Sequence, residues 1–307
     1  MKRITLLILP PSNGKPFNQN IVVMLKKFTF FALVALVAAS CSKSSEPLVP
    51  VSVRVNDFLV TIDNISDTKA TDVADYDKLK ALMLAFYSGE TEVFKSTQLK
   101  GDAGFGNFSL NLPLGTYTMV VLGYGFNEGD VLTLTSPTEA AFTAGRVGET
   151  FASTKEVTIS STNAVELSAT LDRIVSKLFV VSDDHRTEGA EYIRMTFSGG
   201  AKAFNPSTGL ASSNNGFSNT VSISTDVGKR SGSISYLFLD SPEQTMDVTI
   251  DVLDAEDDVL YHKVVRNVPF MVNRSTKLAG NVYTATAPGA ATFQLNEDWL
   301  TEGTVVF

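Results

Sequence analysis

A single cysteine offers the most specific chemistry in this chain. Cys41 is the only cysteine among 307 residues, and it follows three small residues, Ala38-Ala39-Ser40. Ahead of these, Lys26 and Lys27 precede the unbroken apolar run Phe28–Ala39. A lone cysteine in an exported protein has no partner for a disulfide. The residues around Cys41 therefore favour covalent modification of its thiol.

The segment Met24–Ser40 has the layout of an export signal. Its apolar run of about 12 residues is too short to cross a ~30 Å hydrocarbon core, and it has the length of a signal-peptide core. Its end resembles the lipobox of bacterial lipoproteins, which implies cleavage between Ser40 and Cys41 and a palmitate-type lipid on Cys41. The alternative is an ordinary secretory signal with an incidental cysteine.

The segments on either side of this signal are excluded from the folded part. Residues 1–23 precede a complete signal peptide and contain Pro10-Pro11, so we expect translation to start at Met24. Residues 41–50 are polar and contain proline, which predicts a flexible tether.

Few other residues could perform chemistry. The chain has two histidines: His262 lies in the strand-like segment VLYHKVV, and His185 follows Asp183-Asp184. No nucleophile elbow, HExxH zinc motif or phosphate-binding loop occurs in the sequence. The acidic segment Asp254–Asp258 could offer oxygen ligands to calcium, but it lacks the spacing of an EF-hand and is typical of a solvated hairpin loop. We therefore predict no enzyme activity, no cofactor and no metal site.

Composition and charge limit the classes of partner. The chain is 44% hydrophobic and 19% charged, which is ordinary for a globular protein. Its net charge of −8 argues against nucleic acid, because phosphate binding needs a basic surface. No second apolar stretch approaches 18 residues, so we expect no membrane span after the signal.

The hydrophobic pattern from residue 51 onward predicts strands. Val51, Val53 and Val55 alternate with polar residues, and the alternation then changes phase, which predicts a bulge or bend at Asn56-Asp57. The continuous apolar run Ala81–Tyr87 is typical of a strand buried on both faces. Further strand-like segments are 108–112, 117–122 (the return strand after a turn at 113–115), 157–159, 165–171, 174–181, 193–197, 221–223, 234–239, 246–253 and 259–265.

These segments predict an all-β chain. A helical period is hard to find, and its best candidate, Tyr76–Met83, competes with the strand that follows. The spacing of strands and turns favours two β-sandwiches, which we place at residues 51–171 and 172–307 with a seam near 170–174.

Three motifs occur in a characteristic order. Leu112–Thr118 reads LPLGTYT, Leu171–Lys177 reads LDRIVSK at the predicted seam, and Asn273–Asn281 reads NRSTKLAGN ahead of Phe293–Trp299. Together with the lipobox cysteine and the short tether, they resemble the fimbrillin superfamily of Bacteroidales-type fimbriae. The resemblance covers essentially the whole mature chain.

The resemblance implies both a fold and a role. It implies two tandem transthyretin-like antiparallel β-sandwich domains in a fimbrial subunit that acts in assembly, anchoring and cell adhesion. The implied partners are other fimbrial subunits, joined by donor-strand contacts, and a host protein or glycan as ligand. The implied location is the cell surface, with the lipid on Cys41 held in the outer membrane.

The position of arginines bears on the type of subunit. In shaft subunits of the superfamily an arginine-specific protease removes a first segment. Here no arginine lies between Cys41 and Val51, and Arg54 falls inside a predicted strand. We therefore predict an anchor or accessory subunit. The alternative is that residues 51–63 form the removable strand, with cleavage at Arg54 or after Lys69.

Two other classes of function remain open. One is a glycan-binding surface lipoprotein of a nutrient-uptake system, although Trp299 is the only tryptophan and a sugar platform more often offers several aromatics. The other is a structural envelope protein. The strand-like end Thr304–Phe307 either closes the second sandwich or is offered to a neighbouring subunit.

Overall fold

The fold was analysed in a computed structural model of the chain. The structure describes residues 46–61, 68–72, 76–284 and 294–296. The predicted signal peptide, Ser40, Cys41, Trp299 and Thr304–Phe307 lie outside these residues.

The described part of the chain contains strands and no helix, which confirms the all-β prediction. The strands are β1 (Val49–Thr61), β2 (Thr68–Asp72), β3 (Ala81–Ser88), β4 (Thr91–Leu99), β5 (Asn107–Leu112), β6 (Gly115–Tyr124), β7 (Val131–Ser136), β8 (Glu139–Ala144), β9 (Thr150–Ile159), β10 (Val165–Arg173), β11 (Ser176–Ser182), β12 (Tyr192–Phe197), β13 (Ala203–Phe204), β14 (Phe217–Ser222), β15 (Gly232–Leu237), β16 (Glu243–Leu253), β17 (Val259–Met271), β18 (Ser275–Gly280) and β19 (Gln294–Asn296).

The first ten strands, apart from β7 and β8, form one folded sheet. Its path is β2-β1-β10-β9-β6-β3-β4, and β5 pairs with β1 beside this path. β10 pairs with β9 only at Asp172 and Arg173, so the sheet turns there into two layers. Alternate residues of β1, β5 and β10 pack with residues of β3, β6 and β9 in one apolar core. This arrangement is a β-sandwich.

The later strands form a second sandwich. One sheet has the order β15-β11-β18-β19 and the other has the order β14-β12-β16-β17. Their inward faces meet in a separate core that includes Leu178, Phe197, Ile250 and Leu278, all 0–2% exposed. The transthyretin-like topology of the two sandwiches and a boundary at residue 171 stay predictions.

A third core connects the two sandwiches. The strands β7, β8 and β13 form a small sheet in which Ala203 and Phe204 pair with Ala141 and Ala140. Under it, Phe238 stacks on Phe204 with ring centroids 4.1 Å apart, and Phe142 packs 6.4 Å away. This core explains the continuous apolar run of β3, because Leu82, Leu84 and Phe86 face the first core while the intervening residues face the third.

The bulge predicted at Asn56-Asp57 is confirmed. The parallel register of β1 and β10 pairs Val55 with Ala169 and then Asp57 with Thr170, so Asn56 is the extra residue. An extra residue on one strand turns the following side chains to the opposite face, which is the phase change visible in the sequence.

The structure resolves one open assignment and corrects one local prediction. The candidate helix Tyr76–Met83 is a turn followed by the start of β3, because Ala81–Tyr87 has apolar partners on both faces. The predicted return strand, β6, does not pair with β5: β5 pairs with β1, whereas β6 lies between β3 and β9. The turn at Pro113 therefore carries the chain from one layer of the sandwich to the other.

Candidate functional site

The first strand lies at the centre of its layer. Residues Val49–Arg54 pair antiparallel with β5, and residues from Val51 to Leu59 pair parallel with β10 on the opposite side. The preceding residues 46–48 are exposed and lead directly into the strand. β1 therefore joins the predicted tether to the interior of the first sandwich.

Four valines hold β1 in the core. Val49, Val51, Val53 and Val55 are 0%, 2%, 1% and 3% exposed, and they pack with Leu residues of the facing layer. Burying a valine contributes about 1.5–3 kcal/mol, so the four together contribute up to about 6–12 kcal/mol. That sum is comparable to the whole stability of an ordinary domain, which is about 5–15 kcal/mol.

Arg54 lies in the middle of this strand. Its neighbours in register are Asn107 on β5 and Ser168 on β10, and its side chain is exposed. A protease binds its substrate as an extended, accessible segment, so cleavage at Arg54 requires β1 to leave both neighbouring strands. The other predicted site residues, Ser40 and Cys41, are outside the described residues.

The LPLGTYT motif closes the turn between the two layers. The Tyr117 hydroxyl donates a hydrogen bond to the carbonyl of Pro113 over 2.9 Å. A Cβ on Gly115 would lie 3.2 Å from that hydroxyl oxygen, so a larger residue would crowd the tyrosine. The ring of Tyr117 packs edge-on against Phe86 in the first core. The motif thus fixes the turn at which the chain passes from one layer of the first sandwich to the other.

The other two motifs meet in space. Arg173 of LDRIVSK donates a hydrogen bond to the side-chain oxygen of Asn273 of NRSTKLAGN over 3.0 Å. β11 and β18, which begin in these motifs, pair in parallel from Lys177 with Ser275 to Ser182 with Gly280. β11, the first strand of the second sandwich, and β18, a strand near its end, therefore lie side by side.

Arg173 also forms a buried ion pair. Its Nε lies 2.8 Å from Oε1 of Glu149, and the two side chains are 1% and 3% exposed. The Tyr76 hydroxyl donates to the same carboxylate over 2.8 Å, and the Arg173 guanidinium lies over the Phe151 ring at 5.0 Å. Burial, together with the Glu149 charge, raises the pKa of Tyr76 far above its usual value, so the phenol stays a donor.

This network was only partly visible in the sequence. Arg173 stood in a motif, but Glu149 and Tyr76 follow no pattern that distinguishes them from surface residues. They come together because β9 and β10 touch at their ends and the turn before β3 packs over that point. The sequence signal for Glu149 is that an acidic residue stands directly before a strand. This pattern is too common to identify a buried ion pair.

Neither histidine lies beside a nucleophile. His262 is on β17, where its Nδ1 lies 2.6 Å from the Asp251 carboxylate, and its side chain is 61% exposed. Asp251 also binds Arg194 over 2.8 Å, so the three side chains form a cross-strand row. His185 is exposed, and its neighbour Asp184 accepts the backbone N–H groups of Val282 and Tyr283.

The acidic segment Asp254–Asp258 is the hairpin loop between β16 and β17. The Asp254 carboxylate accepts the backbone N–H groups of Glu256 and Asp258, so its oxygen holds the turn. Within the described residues, no group of three or more His, Cys, Asp or Glu side chains could hold a metal. No helix in the same part of the chain is long and apolar enough to cross a membrane.

Among the described strands, β17 is the outer strand of its sheet, and bulges interrupt its pairing with β16 near both ends, at Leu260 and at Arg266-Asn267. Asn267 has φ 54° and donates its N–H to the Asp247 carboxylate, and Pro269 has no N–H to offer. The pairing is regular from Tyr261 to Val265, between the two bulges. In this part of the chain the apolar Leu260 and Val264 are exposed on either side of His262.

The chain matches one family model. Residues 57–305 match DUF6562, a family of unknown function, and the chain belongs to this family. A search of curated proteins finds no sequence that matches it.

Several solved structures are similar to the chain at low identity. A candidate adhesin from Bacteroides ovatus is 11% identical with a TM-score of 0.47, covering 73% of this chain and 83% of that protein. The fimbrial anchor protein Mfa2 from Porphyromonas gingivalis is 11% identical with a TM-score of 0.44, covering 76% and 90%. The tip fimbrial protein Mfa3 from the same organism is 12% identical with a TM-score of 0.36, covering 76% and 94%. Fimbrial proteins are thus among the solved structures to which the chain is similar.

Removing the charge of Glu149 should destabilise the fold strongly. Glu149→Gln leaves Arg173 buried without its counter-charge, and we expect a loss of about 3–5 kcal/mol in the free energy of unfolding, measured by urea denaturation. Glu92→Gln is the control, because Glu92 pairs with Lys95 on the surface and should lose no more than about 1 kcal/mol. Equal losses in the two variants would contradict a structural role for the buried pair.

Proposed function

We propose that this protein is a fimbrial subunit that keeps its N terminus and is anchored in the outer membrane through a lipid on Cys41. The observation that carries the proposal is the position of β1. The strand that follows the tether is bonded on both sides and fills the first core with four valines. A protein that must hold a filament to a membrane needs its attachment point fixed within the fold.

The same position disfavours a processed shaft subunit. Cleavage at Arg54 would take Val49, Val51 and Val53 out of the core, at a cost of about 1.5–3 kcal/mol for each side chain. Cleavage after Lys69 would remove the whole of β1. Either cut leaves β5 and β10 without their shared neighbour, so the sandwich would need another strand in its place.

Resistance of Arg54 to proteolysis tests this step. An arginine-specific protease acting on the folded full chain should leave the Arg54–Val55 bond intact and cut at Arg230, which is exposed in the loop before β15. Mass spectrometry of the fragments gives both rates in one sample. In assembled fimbriae the N-terminal residue should be Cys41, and a mature protein that starts at Val55 or later would overturn the anchor role.

The lipid supplies the second part of the proposal. One acyl chain gives only marginal membrane binding, whereas two or more chains hold a protein stably. A diacylated Cys41 would therefore keep the protein, and any filament attached to it, at the membrane. The resemblance of residues 24–41 to a lipoprotein signal supports this attachment.

Loss of the thiol should release the protein from the membrane. In cells that express Cys41→Ala, we expect fatty-acid labelling of the protein to disappear and most of the protein and assembled fimbriae to move into the medium, measured by immunoblot. Ser42→Ala is the matched control, since it changes the adjacent residue and keeps the thiol. Fimbriae that stay on Cys41→Ala cells would argue against anchoring through this residue.

Assembly through strand addition is the third part. An added strand needs a free row of backbone groups and an apolar surface for its side chains. Among the described strands, the earlier half of β17 has no outer neighbour along its regular stretch 261–265, and the exposed Leu260 and Val264 supply apolar surface there. We infer that this half of β17 receives a strand from a neighbouring subunit.

Charge on this edge should weaken assembly. The double variant Leu260→Lys/Val264→Lys places two cations where the side chains of an added strand would pack. We expect a loss of tenfold or more in the yield of cross-linked neighbouring subunits from cells. Val227→Lys is the control, because Val227 is exposed in the loop between β14 and β15 and lies outside β17. An undiminished yield in the double variant would exclude β17 as the receiving edge.

A further inference from the structure

A cavity lies between the two sandwiches, and neither β1 nor β17 contributes to its lining. Its volume is about 360 Å³, and it is lined by segments 77–80, 125–127 and 146–149 on one side and by Asn219 and residues 234–236 on the other. Pockets for small ligands measure about 300–1,000 Å³. The cavity therefore suits a single compact ring rather than a long chain.

The wall of the cavity is rich in cations. Lys78, Lys80 and Arg146 line it. Among the described residues, the Lys78 ammonium and the Arg146 guanidinium have no ion-pair partner, while Lys80 lies 5.8 Å from the Phe126 ring centroid. This excess of positive charge favours an anionic ligand.

The acids around the cavity do not cancel this charge. Asp77 pairs with Lys100 over 3.4 Å, and Glu149 is committed to its buried pair with Arg173. Asp130, which accepts the backbone N–H of Arg146, lies outside the lining.

A buried amide in the cavity wall lacks a partner at one end. Asn219 is 2% exposed, and its Nδ2 donates to the Ser235 hydroxyl over 2.6 Å. Its Oδ1 has no hydrogen-bond partner among the described residues. Ser235 can donate or accept, so one end of the amide stays unsatisfied in either orientation. A buried polar atom without a partner costs about 1–3 kcal/mol, and a ligand hydroxyl, which donates and accepts, would satisfy either end.

Two aromatic side chains complete the lining. Phe126 is half-buried, and Tyr236 adds a ring whose hydroxyl is hydrogen-bonded with Glu149. Burial, with the charge of Glu149, raises the pKa of Tyr236 far above its usual value, so the hydroxyl stays neutral. Ring surface beside a few fixed polar groups is typical of a site that orients a small polar ligand.

We propose that this cavity binds a sugar residue that carries a carboxylate, with the carboxylate at Lys78 and Arg146 and a ring hydroxyl at Asn219. Each requirement has its own observation: the anion follows from the unpaired cations, the hydroxyl from the orphaned amide, and the size from the volume. The proposal does not depend on fimbrial assembly, because none of these residues lies in β1 or β17.

Three small probes separate these requirements. Binding of galacturonate, galactose and acetate to the full chain in detergent is measured by ligand-observed saturation-transfer NMR. Galacturonate should bind at least about tenfold more tightly than galactose, because a hydrogen bond to a charged group is stronger than one between neutral groups. It should also bind at least about tenfold more tightly than acetate, which has no hydroxyl for Asn219.

Variants assign the contacts. Arg146→Gln should weaken galacturonate binding about tenfold and leave galactose binding unchanged, whereas Arg230→Gln, which removes the same charge from an exposed residue outside the lining, should change neither. Asn219→Ala should weaken both sugars by a similar factor, and its melting temperature shows whether the cavity is intact. The proposal is overturned if galacturonate does not bind at millimolar concentration, if galactose or acetate binds as tightly, or if Arg146→Gln has no effect.

Discussion

The first sandwich depends on β1, the first strand that the structure describes. β1 separates β5 from β10, and its valines supply one side of a core whose other side comes from β3, β6 and β9. Without β1 the layer divides, because β5 and β10 have no direct pairing with each other. The stability of the whole first sandwich is thus coupled to residues that lie next to the predicted tether, and proteolytic removal of these residues would also change the folding of the sandwich.

The two sandwiches are coupled through aromatic packing and a shared sheet. Phe238 follows β15 of the second sandwich, yet it stacks on Phe204 beside Phe142 of β8. The buried pair of Arg173 and Glu149 lies at the same junction, and Arg173 also reaches Asn273 near the end of the second sandwich. Charged and apolar contacts therefore both stabilise the junction between the two sandwiches. The cavity beside it takes its lining from both sandwiches.

The sequence predicted the strands whose side chains alternate or run apolar, since burial on one or two faces leaves that signature. β1, β3, β5 and the β16–β17 hairpin, as well as the bulge in β1, were found in this way. β4 was missed because it is an outer strand with mostly exposed polar residues, and β13 because two residues carry no period. The pairing of strands was harder to predict than their positions. β6 was paired with β5 because the turn between them is typical of a hairpin. Glu149, Tyr76 and Asn219 acquire their roles only from distant partners.

The parallel register of β1 with β10 has a mechanical consequence. A pull on the predicted tether would enter β1 at Val49 and act along the strand axis, while the backbone hydrogen bonds to β5 and β10 lie across that axis. Such a load is shared by many bonds at once, so the layer must slide as a whole before it fails. A strand pulled sideways would instead open one bond at a time. The geometry thus favours a long lifetime under tension, a property that equilibrium stability alone does not report.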